Sequence, residues 1–198
     1  MQTVFVAVDI EKTGSFLIKN PIISVGFYAG NEKGEFLFKR KFTIKTTFPT
    51  ITNETIDYGD FEPRCWNEFW SKLDKNIINK STEDAKPAEE VWKNISLFLD
   101  ELEEYPKVKF LTDNASFDIA SIDYALEKYT GRAPMRYSSK GKYRSVISAD
   151  DMLDTVYDKH KQAIDEYINK RAIHDHDPIN DAHHIYLQYI QAMYYKEL

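Results

Sequence analysis

Residues 4–8 read Val-Phe-Val-Ala-Val, apolar on both alternations, and run directly into Asp9 and Glu11. A strand apolar on both faces is stable only when both faces are covered, so this one belongs inside a sheet with a layer above and a layer below. Side chains alternate along a strand, which puts Asp9 and Glu11 on one face. Two carboxylates held close raise each other's pKa unless a cation stands between them. A divalent metal ion is the simplest such cation. A strand that merely ends in water would carry the same pair, so D-x-E alone does not define a site.

The rest of the chain supplies the layers. Residues 21–30 and 35–44 read as strands, and Asn31-Glu32-Lys33-Gly34 between them has the turn chemistry of a hairpin. Trp66, Phe69, Trp70, Leu73 and Ile77 recur at helical spacing, and residues 81–87 read as a polar loop. Val91, Ile95, Phe98 and Leu102 form the stripe of an amphipathic helix. A strand is expected over 107–113, a helix over 116–131 closed by Gly131, and a short strand over 144–148. Leu153, Val156, His160, Ile164 and Tyr167 mark the next helix. Asp177 is placed to cap the last helix, with Pro178 as its first residue. Ile179, Ala182, Tyr186, Ile190 and Met193 form its expected buried stripe, and Asp181 falls off that stripe. This order predicts an α/β fold of three layers with a partly antiparallel sheet. We expect one domain over residues 1–198, with an aromatic helical insertion around 46–104.

Three short stretches carry chemistry. Asp9 and Glu11 close the first strand. Asn114, Phe117 and Asp118 lie where the 107–113 strand passes into a helix. His176 precedes the last helix, and Asp181 lies in its first turn. Taken singly, Asp118 and Asp181 are ordinary acids of a helix first turn, and His176 is an ordinary capping histidine. As an ordered set, D-x-E, N-x-x-F-D and H-x-x-x-x-D, they resemble the motifs of the DEDDh branch of the DnaQ-like 3′→5′ exonucleases. Lys12 departs from that pattern, because a small polar residue is common after the glutamate. Asp113 also departs, standing where histidine is frequent and adding a carboxylate.

The resemblance implies a ribonuclease H-like fold, a mixed five-stranded sheet flanked by helices. It also implies a metal-dependent 3′→5′ exonuclease acting on single-stranded DNA or RNA ends and releasing nucleoside 5′-monophosphates. Carried over, Asp9, Glu11, Asp118 and Asp181 bind two divalent cations, Mg²⁺ or Mn²⁺, and His176 is the general base. Thr13, Gly14, Asn114 and Phe117 fall at substrate-binding positions. Base stacking is open to Phe16, Leu17 and Phe117, although core packing is the expectation for all three. Two other readings compete: a ribonuclease H-type endonuclease, and a nucleic-acid-binding module without turnover.

Composition bounds the partners. The net charge of −6 argues against a surface that coats nucleic acid. Locally, residues 128–149 contain no acid, while Lys128, Arg132, Arg136, Lys140, Lys142 and Arg144 alternate with Tyr129, Tyr137 and Tyr143. That stretch reads as a positive funnel for a single strand or as a solvated loop. His174, His176, His183 and His184 lack a firm zinc-ligand spacing. Cys65 is the only cysteine, which suits a reducing, cytoplasmic compartment. The N-terminal apolar run is of strand length, lacks a basic start and ends in acids, so it reads as neither a signal peptide nor a membrane span. A homodimer is compatible with the sequence, which does not fix the oligomeric state.

Overall fold

The computed structural model describes residues 3–52 and 55–197. Residues 53 and 54, within the expected 46–104 insertion, and the terminal residues 1, 2 and 198 lie outside the described residues. The elements run β1 (Thr3–Lys12), β2 (Ile22–Asn31), β3 (Phe36–Thr43), β4 (Thr50–Thr52), β5 (Thr55–Asp57), α1 (Pro63–Glu68), α2 (Lys75–Thr82), α3 (Ala88–Glu101), β6 (Lys107–Thr112), α4 (Asp118–Thr130), β7 (Ser145–Ser148), α5 (Ala149–Asn169) and α6 (Pro178–Lys196).

The main sheet has five strands in the order β3-β2-β1-β6-β7. Its first half is an antiparallel meander, and β1, β6 and β7 run parallel. The apolar run of β1 therefore sits at the centre, covered twice. Val4, Val6, Val8 and Ile10 face Trp92, Ile95 and Phe98 of α3 and Ile119 and Ile122 of α4. Phe5 and Ala7 face Leu153 and Val156 of α5 and Ala182 and Tyr186 of α6. Asp9 and Glu11 continue the second face, so they emerge toward α6. The expected mixed α/β sheet flanked by helices is the one observed.

Two glycines let α6 lie close on β2. A Cβ on Gly26, which pairs with Asp9, would overlap the Pro178 carbonyl, and one on Gly30 would overlap the Tyr186 hydroxyl. That hydroxyl donates to the Asn31 carbonyl at 2.8 Å.

Three element readings need correction. The helix expected through Trp66–Ile77 is divided into α1, a 3₁₀ turn at Trp70–Lys72, and α2. Leu73 is extended, and the Asp74 carboxylate accepts from the Asn76 N–H to start a new helix. α2 then takes in Ser81 and Thr82, the first residues of the expected 81–87 loop. The stripe of α6 is broader than expected. It buries Ile185, Leu187, Tyr189 and Ala192 as well as Ala182 and Tyr186, while Ile179, Ile190 and Met193 are only half-buried. A helix wedged between a sheet and α5 buries more than one face.

Candidate active site

The direction of β1 and β6 brings the carboxylates together. Both strands point their C-terminal ends at one edge of the sheet, where the N-termini of α4 and α6 also converge. β1 is antiparallel to β2 and parallel to β6, so the site lies where the topology switches. Glu11, Asp118 and Asp181 are 8 %, 2 % and 4 % exposed, too buried for solvated surface acids. Asp9 is half-buried, and its Oδ2 is shut off from solvent without a hydrogen-bond partner. Asp9 belongs to two clusters whose ligand atoms lie within 4.8 Å of one another, Asp9–Glu11–Asp181 and Asp9–Asp113–Asp118. Asp113, the departure in the second stretch, thus joins the cluster. A cavity of about 230 Å³ beside them is lined by Asp9, Asp113, Asp150, His174, Asp181 and His184.

The electrostatics follow from this crowding. Burial, then Glu11 and the other acids, raises the Asp9 pKa well above the ordinary carboxylate value. Burial, then Asp181 and Asp118, does the same to Glu11. Burial pushes Asp118 up to about 8, against the lowering pull of the Thr112 hydroxyl, which donates to its Oδ2 at 2.6 Å. An unpartnered buried carboxylate oxygen among all-oxygen donors fits a hard divalent cation, and among the described residues it has no hydrogen-bond partner.

His176 stands over this floor. Its backbone is left-handed, with φ 60°, and its Nδ1 is 4.0 Å from Glu11 Oε1. Residues between β5 and α3 hold it there. The Phe69 ring meets its imidazole edge-on at 4.9 Å, and the Ser81 hydroxyl donates to its carbonyl at 3.4 Å. Lys41 on β3 donates to the Lys80 carbonyl at 2.8 Å and to Asp177 Oδ2 at 2.9 Å, tying α2 to the cap of α6. Trp70 is fully buried and donates from Nε1 to the Lys12 carbonyl at 3.0 Å. The aromatic pattern therefore marks a buttress of the site.

The remaining expected residues separate. Thr13 is fully buried and its hydroxyl donates to the Pro21 carbonyl, so it fixes the β1–β2 loop. Gly14 is buried against Glu62 and Asn20. Asn114 is exposed, and its carbonyl accepts from the Asp118 N–H at 2.9 Å. Phe117 packs on the core beneath the Lys12 ammonium, 5.0 Å from the ring centroid. The expected core packing of Phe16 and Leu17 is overturned, because they are 58 % and 41 % exposed on the β1–β2 loop.

Three of the six cations of the basic stretch 128–149 are engaged with α3 and the turn after it. Arg132 pairs with Asp100 at 2.8 Å, Lys140 with Glu103 at 3.5 Å, and the buried Arg144 donates to the Leu99 carbonyl. Arg144 also enters β7 at the end remote from the carboxylates. Sequence reading named His174 only among the loosely spaced histidines and missed its contact with Asp181, in which Nδ1 donates to Oδ1 at 3.0 Å and the His174 pKa is raised. It missed Lys41 as well, since a cation on an edge strand carries no motif.

The mixed five-stranded sheet flanked by helices, with acids at the ends of its central strands, is a ribonuclease H-like fold. Residues 4–193 match the family of the 3′-5′ exoribonuclease Rv2179c-like domain, and the chain belongs to that family. Similar solved structures include E. coli exonuclease I in complex with a dT13 oligonucleotide. It is 11 % identical with TM-score 0.69, and the match covers 99 % of this chain and 42 % of that one. Cell-death related nuclease 4 is 14 % identical with TM-score 0.60, covering 96 % of this chain and 64 % of that one. The product-bound exonuclease I is 11 % identical with TM-score 0.64, covering 100 % and 44 %. This chain thus spans about two fifths of the exonuclease I chains it matches. No curated protein sequence matches the chain. Among the described residues, no helix is long and apolar enough to cross a membrane.

Proposed function

We propose that this protein removes nucleotides one at a time from the 3′ end of a single strand, with RNA as the favoured substrate, and releases nucleoside 5′-monophosphates. The observation that carries the reading is Asp9, shared by two carboxylate clusters with His176 flanking one of them. The family's exoribonuclease description favours RNA, while the oligonucleotide complex of exonuclease I keeps DNA in the comparison.

Asp9, Glu11 and Asp181 would hold one Mg²⁺ or Mn²⁺, and Asp9 with Asp118 a second. When bound, such a pair stabilises both the attacking and the leaving oxygen of an in-line displacement. His176 accepts the proton of the attacking water, and its place on a loop lets the imidazole approach that water while Asp181 stays fixed on α6. Phe16 and Leu17 present apolar surface on which terminal bases stack. An endonuclease or a binding module is less well supported, since neither calls for this histidine beside the acids.

The test is digestion of matched 5′-labelled RNA and DNA strands with Mg²⁺ or Mn²⁺ and with chelator. A descending ladder that stops in chelator, faster on RNA, is expected. Cleavage of a closed circle as early as of a linear strand would overturn the directional reading.

A further inference from the structure

We propose that His174, His176 and Asp181 form a capture site for Zn²⁺ that holds the nuclease inactive while occupied. The inhibitory consequence rests on the function proposed above, whereas the binding itself does not.

The three residues present ligand atoms within 4.8 Å of one another. His174 Nδ1 and Asp181 Oδ1 are already 3.0 Å apart. Donors on a tetrahedral zinc, each at about 2.0–2.2 Å, lie roughly 3.3 Å from one another. The left-handed backbone of His176 turns its ring back toward His174, leaving the centroids 5.2 Å apart. His176 must close only the remaining gap, from a loop position that precedes the fixed α6. His174 is exposed, so water has access to a fourth position. The spacing H-x-H followed by an acid in a helix first turn is not a familiar zinc pattern in sequence. The left-handed turn supplies the convergence that linear spacing conceals.

Ligand chemistry separates this site from the carboxylate floor. Two imidazoles and one carboxylate suit a borderline cation, while Mg²⁺ prefers all-oxygen ligands and its own waters. On binding, zinc displaces the proton that His174 Nδ1 now donates to Asp181, and the ring keeps a proton on Nε2. Capture removes His176 from its place beside Glu11 and occupies an oxygen of Asp181, a member of the cluster that contains Asp9.

The experiment uses Co²⁺ as the spectroscopic substitute for Zn²⁺, added to protein held in about a thousandfold excess of Mg²⁺. The parent is expected to develop the intense visible d–d absorption of a tetrahedral site at one equivalent, and Zn²⁺ to bleach it. His174→Ala and His176→Ala should each lose that absorption. In the parent, Zn²⁺ should inhibit RNA digestion, and His174→Ala should raise the half-inhibiting concentration at least tenfold. Only weak, octahedral-type absorption in the parent, or an unchanged spectrum in His174→Ala, overturns the site. A tetrahedral spectrum in a protein that digests no strand would instead leave the zinc site standing and sink the nuclease reading.

Discussion

In the proposed reaction, Asp9 and His176 would divide the chemistry between them. Asp9 faces two clusters at once, so its loss removes a shared ligand. His176 flanks the first cluster, 4.0 Å from Glu11, without supplying a carboxylate, so its loss leaves every acid in place. His176→Ala is therefore expected to lower turnover by about 10²–10⁴-fold, the range for losing a general base. The same variant should keep the Mg²⁺-induced rise in Tm, measured by thermal unfolding. A variant that lost both would show His176 to be needed for the metal site rather than for proton transfer.

At the scale of elements, the site is a meeting of strand ends and helix starts, and Gly26 sets how closely they meet. α6 rests on the bare backbone of β2 at that residue, directly opposite Asp9 in the ladder. Gly26→Ala places a methyl into the Pro178 carbonyl, and overpacking of this kind costs about 1–3 kcal/mol. Chemical denaturation should show that loss. Turnover should fall further than stability does, because Asp181 moves with the helix. Full activity in a destabilised Gly26→Ala protein would separate α6 placement from function.

Sequence reading reached β1, β2, β3, β6, α4 and the cap of α6, because each is fixed by local signals: alternation, an N-E-K-G turn, Gly131 with φ 67°, and Asp177-Pro178. It could not reach the division of the Trp66–Ile77 pattern, which α1, the 3₁₀ turn and α2 share across a break at Leu73. Nor could it reach Phe16 and Leu17, whose exposure depends on the path of a loop. The basic stretch was harder to read for a related reason, since Asp100 and Glu103 lie far from it in sequence and pair with Arg132, Lys140 and Arg144 in space. The acids of the candidate site were legible because strand and helix geometry carry them into one cluster. The buttress was not, because Phe69, Ser81 and Lys41 act through tertiary contacts alone.

For the whole molecule, a floor of buried acids makes stability depend on pH and metal together. A carboxyl whose folded pKa is raised binds protons more tightly folded than unfolded. It favours the native state at low pH and loses that contribution as pH rises to the folded value. For Asp118 the window runs from the ordinary 3.8 to about 8, and Asp9 and Glu11 shift in the same direction. Metal-free protein should therefore have a lower Tm at pH 8 than at pH 5.5. Saturating Mg²⁺ should raise Tm most at pH 8, where the carboxylates are ionised and binding favours the folded state. Asp9→Asn removes one charge from both clusters, so in chelator its Tm should exceed the parent's at pH 8 and differ less at pH 5.5. Its gain from Mg²⁺ should shrink, and its nuclease activity should vanish. A parent Tm indifferent to pH and Mg²⁺ over this window would mean that the acids are neither crowded nor metal-binding in solution. A variant more stable than its parent yet inactive would place the cost of the folded state in the charges that the chemistry requires.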